Sequence, residues 1–314
     1  MQKPFAGVIG HRRILTVLER MMANNTLPHA FLFVGPEGVG RTTVIDALLH
    51  AMFDRAGSLG VVSDITRIER EENPKTEKLR TQISVEQIRR LTSRLSMSAM
   101  AGGWKAAVIE EADKLSLGAA NALLKTLEEP KGRTLIFLRA PSSESVLETI
   151  ASRCQIVRFY PVSRDQMQNG LVKKGFSPAD VEPVFGQSLG RPGTAIRLLK
   201  DSEFSSERAT GIETMKEALN SSVPDRLRAA TDLIPKTQTD KRTALSSRLD
   251  CAEEVLRDDL LREIGCNDLC MHKSANTESS ENILNALHRL YKVRRATHHN
   301  VNPHLALEYL FLSF

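Results

Sequence analysis

Gly35-Pro36-Glu37-Gly38-Val39-Gly40-Arg41-Thr42-Thr43 has the spacing of a phosphate-binding loop. Its glycines allow successive backbone N–H groups to turn toward phosphate oxygens where a strand ends and a helix begins. Such a Walker A loop asks for lysine where this chain carries Arg41. A lysine ammonium is a compact charge that slips between terminal phosphates, whereas a guanidinium is broad and planar and needs a different cavity. Gly35, Gly38, Gly40, Arg41, Thr42 and Thr43 therefore read as a degenerate nucleotide loop, and the alternative is an inherited strand–turn–helix that holds no ligand. Val108-Ile109-Glu110-Glu111-Ala112-Asp113 offers a second constellation. At a Walker B strand end the first acid holds magnesium and the next polarises water. Glu110 is one methylene longer than the expected aspartate, so a metal held by Glu110 and Glu111 would be displaced; a solvated strand edge is the competing reading.

These residues need a scaffold, and the hydrophobic pattern supplies one. Apolar runs at 30–34, 106–109, 134–138 and 156–159 read as buried parallel strands. Between them, Val85, Ile88, Leu91 and Leu95, and then Leu117, Ala120, Leu123, Leu124 and Leu127, recur at helical spacing and predict amphipathic helices facing a core. Alternating strands and helices imply a βαβ architecture. After Tyr160-Pro161 the strand signals stop and the rest reads as helices. Ser163 and Ser177-Pro178 mark helix starts, and Gly190-Arg191-Pro192-Gly193 separates two helices. The expectation is α/β plus all-α: a P-loop-like domain over 1–162, a small helical lid over 163–204, and a helical domain over 205–314. The polar stretch 273–280 reads as an exposed link inside the last of these.

At 314 residues the chain exceeds the roughly 250–300 residues at which single cores stop growing. A hydrophobic fraction of 41% and a charged fraction of 26% fit a soluble globular protein, and the net charge of +5 is a mild excess compatible with nucleic acid or an acidic partner. No run approaches the ~20 apolar residues of a membrane span, which predicts a cytoplasmic protein without membrane partners. The four cysteines read as reduced thiols. Cys266, Cys270 and His272 fall short of a structural zinc set, and the spacing of the two thiols suggests one face of a helix. No metal site is expected.

Asn121-Ala122-Leu123-Leu124-Lys125-Thr126-Leu127-Glu128-Glu129-Pro130 together with Ser152-Arg153-Cys154 resembles the AAA+ clamp-loader family of bacterial DNA polymerase III. Val8-Ile9-Gly10-His11, Leu27-Pro28-His29-Ala30, Gly190-Arg191-Pro192-Gly193 and Asn300-Val301-Asn302-Pro303 are similar to it too, so the likeness spans nearly the whole chain and is weakest over 205–295. The resemblance implies an AAA+ domain, a lid and a C-terminal collar. It also implies gamma/tau-type and delta-type subunits, a sliding clamp and primed DNA as partners. An active ATPase of the family would carry a phosphate-sensing threonine near Ala140 and a sensing arginine near Gly193, although Arg191 lies close. The changes favour a subunit without efficient ATPase activity that requires no cofactor of its own, with residual ATP or ADP binding left open.

Some relatives carry four zinc-ligating cysteines between loop and Walker B strand; residues 44–105 contain none. Within the resemblance, Arg153 in the Ser152-Arg153-Cys154 turn acts as an arginine finger in trans, against the γ-phosphate held by a neighbour; such fingers are worth about 10³ to 10⁵ in rate. A surface ion pair is the plain alternative for Arg153. Lys292, Arg294, Arg295, His298 and His299 form a basic cluster that either touches DNA or is merely solvated. An active gamma/tau-like ATPase, a purely structural ring subunit and a stand-alone P-loop kinase are the competing functions.

Overall fold

A computed structural model describes residues 4–55, 64–73, 79–97, 103–234, 241–267, 270, 279–297 and 301–312. They group into two compact units, Met1–Gly175 with Gly190–Gly193, and Phe176–Leu189 with Thr194–Phe314.

The first unit is built on a parallel sheet of β1 (Ala30–Val34), β2 (Ile65–Ile68), β3 (Lys105–Ile109), β4 (Thr134–Ala140) and β5 (Gln155–Arg158), in the order β2-β3-β4-β1-β5. Parallel strands need crossovers, and the helices α2 (Arg41–Arg55), α3 (Val85–Ser96), α4 (Leu117–Glu128) and α5 (Glu148–Ala151) provide them, after α1 (Arg12–Ala23). Period-two alternation sends β-strand residues to two buried faces. Leu32, Val34, Ala107, Ile109, Ile136 and Leu138 share one core with Ile88 and Leu91 of α3 and Leu123 and Leu127 of α4. Phe31, Phe33, Val108 and Phe137 share the other with Leu18 of α1 and Ile45 and Leu48 of α2. A strand buried on both faces must be apolar throughout, which is why β1 and β3 were legible as apolar runs. The sequence pattern missed β2, a short strand at the sheet edge whose Ile65-Thr66-Arg67-Ile68 is only half-buried.

Strand order reverses where β1 pairs with β4, so the loops after β1, β3 and β4 meet at the carboxyl ends of the strands. Open α/β sheets place ligand sites at such a switch point.

The helix α6 (Arg164–Lys173), capped by Ser163, belongs to the first unit. Gly170 explains the attachment, since a Cβ there would lie 2.6 Å from Ile9. The 163–204 segment is thus divided: α7 (Pro178–Ser188) and all but the first turn residues of α8 (Pro192–Lys200) belong to the second unit. That unit continues with α9 (Ser202–Leu219), α10 (Val223–Asp232), α11 (Lys241–Glu263), α12 (Ser280–Ala296) and α13 (Pro303–Phe311). Ile212, Met215, Leu249, Leu256, Leu290 and Leu307 close its core. Of the polar link read at 273–280, residues 273–278 lie outside the described residues.

Candidate functional site

The loop after β1 is bent at its glycines. Gly35, Gly38 and Gly40 have φ values of 147°, 76° and 110°, a region that side-chain-bearing residues enter only with strain. Gly35 is further confined, because a Cβ would fall 2.5 Å from the Phe159 carbonyl oxygen. Two contacts tie the loop from outside. His11 Nε2 lies 2.8 Å from the Val39 carbonyl, and since a carbonyl only accepts, this nitrogen carries the proton. Burial lowers the His11 pKa, with the bond to Val39 pulling the other way. The Gly193 N–H donates to the Gly38 carbonyl at 2.7 Å. A Cβ at 193 would stand 2.9 Å from that oxygen, so the backbone approach leaves no room for the arginine an active relative would be expected to hold there.

Arg41 does not point where a Walker lysine would. Its guanidinium is buried, with the residue 7% exposed, and donates to the Ala140 carbonyl at the end of β4. Burial brings the Arg41 pKa down to about 10, helped by the neighbouring Arg139 charge and opposed by Glu37, Asp113 and Glu110. It remains cationic at neutral pH. Thr42 is partly buried and Thr43 exposed. The Thr42 hydroxyl accepts from Nη1 of Arg139, and that same nitrogen lies 2.8 Å from Glu110 Oε2. The other carboxylate oxygen, Oε1, accepts from Arg67 Nη1 at 2.7 Å, while Arg67 Nη2 reaches Asp46 of α2. Glu111 pairs with Arg70 at 2.7 Å.

A magnesium-bound nucleotide would need the Thr42 hydroxyl, a free Glu110 oxygen and a cation reaching the terminal phosphates. Guanidinium nitrogens stand against both Glu110 oxygens, although Oε2 accepts no hydrogen bond, another guanidinium N–H holds the hydroxyl, and Arg41 is turned to the strand. The residues present do not fit that group. Ala140 is buried and offers no side-chain donor. Arg191 is buried as well.

The second candidate lies at the far end of α4. The short α5 is followed by its C-cap Ser152, whose N–H donates to the Glu148 carbonyl at 2.8 Å and whose hydroxyl donates to the Thr149 carbonyl at 3.3 Å. Ser152 thereby closes the turn that presents Arg153. The guanidinium is at the surface, its side chain 36% exposed. Nε donates to Glu128 Oε1 at 2.8 Å and Nη1 to the Thr149 carbonyl at 2.9 Å. Glu128 is the last residue of α4, so the two most specific sequence segments meet in this ion pair. Cys154 is half-buried, which pushes its thiol up to about 12 and leaves it unsuited to thiolate chemistry.

Sequence reading missed Arg139, Arg67 and Asp46, and it quoted Glu128 without its pairing to Arg153. Arg139 did leave a signal, a lone cation near the end of the apolar run Thr134–Ala140.

Two other expectations change. The α11 helix stops at Glu263, and Gly265 at φ 82° ends it, so Cys266 and Cys270 do not share a helix face. Instead the Cys270 thiol donates to the Asp258 carbonyl at 3.3 Å. His272 lies outside the described residues, and among those described no three His, Cys, Asp or Glu side chains are arranged to hold a metal. In the basic cluster, Arg294 is committed to Asp250 at 2.8 Å and Glu253 at 2.6 Å, while Lys292 and Arg295 are exposed. His298 and His299 lie outside the described residues. No helix among the described residues is long and apolar enough to cross a membrane.

Residues 10–163 match the family described as DNA polymerase III, delta subunit. The chain is 25% identical to DNA polymerase III subunit delta' of Bacillus subtilis over 96% of its length and 94% of that protein's. It is 29% identical to subunit delta' of Haemophilus influenzae over 72% of its length and 69% of that protein's. Similarity to Bacillus subtilis subunit tau, at 30% identity, covers 48% of this chain but 28% of tau.

Proposed function

We propose that the chain, similar over most of its length to delta' subunits of DNA polymerase III, is a delta-prime-type member of the AAA+ clamp-loader family and acts in the cytoplasm as a non-catalytic ring subunit lending Arg153 to a neighbour's ATP. In this reading the neighbour is a gamma/tau-type subunit, a delta-type subunit completes the ring, and the assembly loads a sliding clamp onto primed DNA. The domain over 1–162 carries the finger, the 163–204 segment serves as lid, and 205–314 forms the collar. The chain requires no nucleotide of its own.

The observation that carries the reading is the state of Arg153. It is exposed at the turn after α5 and held by one exposed carboxylate, Glu128, and the Thr149 carbonyl. Exposed pairs of this kind are worth about 0–1 kcal/mol, so exchanging Glu128 for the more highly charged γ-phosphate costs little. The fork geometry of the guanidinium then suits charge spreading over the transferred phosphoryl oxygens. The Thr149 carbonyl, which also accepts from the Ser152 hydroxyl, takes a bond from Nη1 and so orients the guanidinium.

The test is steady-state ATP hydrolysis by the assembled loader on primed DNA with the clamp, using Arg153→Ala. Hydrolysis should fall steeply while assembly persists, and Arg153→Lys should recover little because it retains charge but loses the fork. Undiminished turnover in an intact assembly would refute the role.

A further inference from the structure

We propose that Arg139 is a built-in substitute for a divalent cation, locking the phosphate loop in its bent form so that the loop is indifferent to magnesium. The inference concerns the chain's own loop and does not rest on the role of Arg153.

Arg139 stands one residue before the end of β4, beside the switch point where the loops after β1 and β3 converge. Every other residue of β4 is buried, and a cation here must find partners on neighbouring loops. It finds two that belong to different elements. A single nitrogen, Nη1, takes the Thr42 hydroxyl at the start of α2 and Oε2 of Glu110 just after β3. One positive centre joining a hydroxyl to a carboxylate across a phosphate loop is what a metal ion does in a working P-loop site.

The second half of the replacement is Arg67. It takes the remaining Glu110 oxygen and crosses to Asp46 on α2. Two guanidinium charges thus surround Glu110, the same total as one divalent ion, and they are covalently part of the fold. A magnesium ion approaching Glu110 would meet two like charges, and the one Glu110 oxygen that accepts no hydrogen bond, Oε2, already faces the Arg139 guanidinium at 2.8 Å. Arg41, displaced onto the Ala140 carbonyl, leaves Arg139 as the cation nearest the Thr42 hydroxyl, and the Arg41–Arg139 repulsion helps keep the two apart. An ordinary surface ion pair would not share one nitrogen between a neutral hydroxyl and a half-buried carboxylate at this point of the sheet.

The experiment uses the full chain, with thermal melting in chelator and in excess magnesium, and manganese uptake followed by water-proton relaxation. The unmodified chain should melt at the same temperature in both media and take up no manganese at the loop. Arg139→Ala should melt several degrees lower in chelator and regain part of the loss in magnesium. It should also acquire a manganese site that Arg139→Ala/Glu110→Gln lacks. Arg139→Lys, which keeps one charge in place, should stay indifferent to magnesium. Arg90→Ala, which breaks the exposed pair with Glu71, controls for general screening and should show no magnesium response.

The proposal is overturned if Arg139→Ala melts like the unmodified chain in chelator, or shows no response to magnesium. Manganese binding by the unmodified chain that disappears in Glu110→Gln overturns it too, and that measurement decides the matter even if Arg139→Ala does not fold.

Discussion

Replacing Glu254 by methionine should destabilise the helical unit by about 3–5 kcal/mol, the range for stripping one partner from a buried ion pair. The side chain of Glu254 on α11 is 0% exposed and lies 2.9 Å from Nη2 of Arg208 on α9, itself 3% exposed. The same nitrogen donates to the Gln187 carbonyl of α7 at 2.6 Å, so three helices converge on one guanidinium. Removing the carboxylate leaves that charge where water does not reach, held by the Gln187 carbonyl, with Nε already without a hydrogen bond. Neither methionine's volume nor its apolarity offsets this, although both limit any cavity. At roughly 2–4 °C per kcal/mol for a protein of this size, the melting temperature should fall on the order of 10 °C. Arg208→Met/Glu254→Met removes both charges and should recover most of the loss, as replacement of a whole buried pair by apolar groups is often neutral or stabilising. Urea denaturation followed by circular dichroism reads all three chains. The reasoning is refuted if Glu254→Met costs less than about 1 kcal/mol, the ordinary cost of a point substitution, or if the double variant is as unstable as the single one.

Acid should destabilise the fold around His11, because burial penalises its charged form by more than the bond to Val39 favours it. Because the folded pKa of His11 lies below 6.5, the unfolded chain binds the proton first as pH falls. Stability present above pH 6.5 is then lost as pH drops through the folded value, and His11→Gln should flatten that part of a melting-temperature profile. Gly193→Ala should cost about 1–3 kcal/mol, the usual range for overpacking, because the Cβ meets backbone rather than a movable side chain; urea melts against the unmodified chain measure it.

How much of this was legible beforehand follows from which interactions are local. Runs such as Ala30–Val34 declare buried strands by composition alone, and Ser163 and Ser177 declare helix starts because a cap acts on N–H groups three residues away. The bent loop was likewise readable from its glycines. By contrast, the Arg139–Thr42 and Arg67–Glu110 contacts join residues far apart in sequence, and only the strand order brings them together. The β2 strand escaped notice because an edge strand needs no continuous apolar run. Division of the 163–204 segment between units follows from Gly170 against Ile9, a close approach with no sequence periodicity. The Cys266–Cys270 reading failed for a local reason, since Gly265 was available as a helix terminator.

The finger role stands most directly exposed to one comparison, ATP affinity against single-turnover hydrolysis in the reconstituted loader with and without the Arg153 guanidinium. Transition-state stabilisation predicts unchanged affinity with a rate lower by about 10³ or more. A lowered affinity with an intact hydrolytic rate would contradict it.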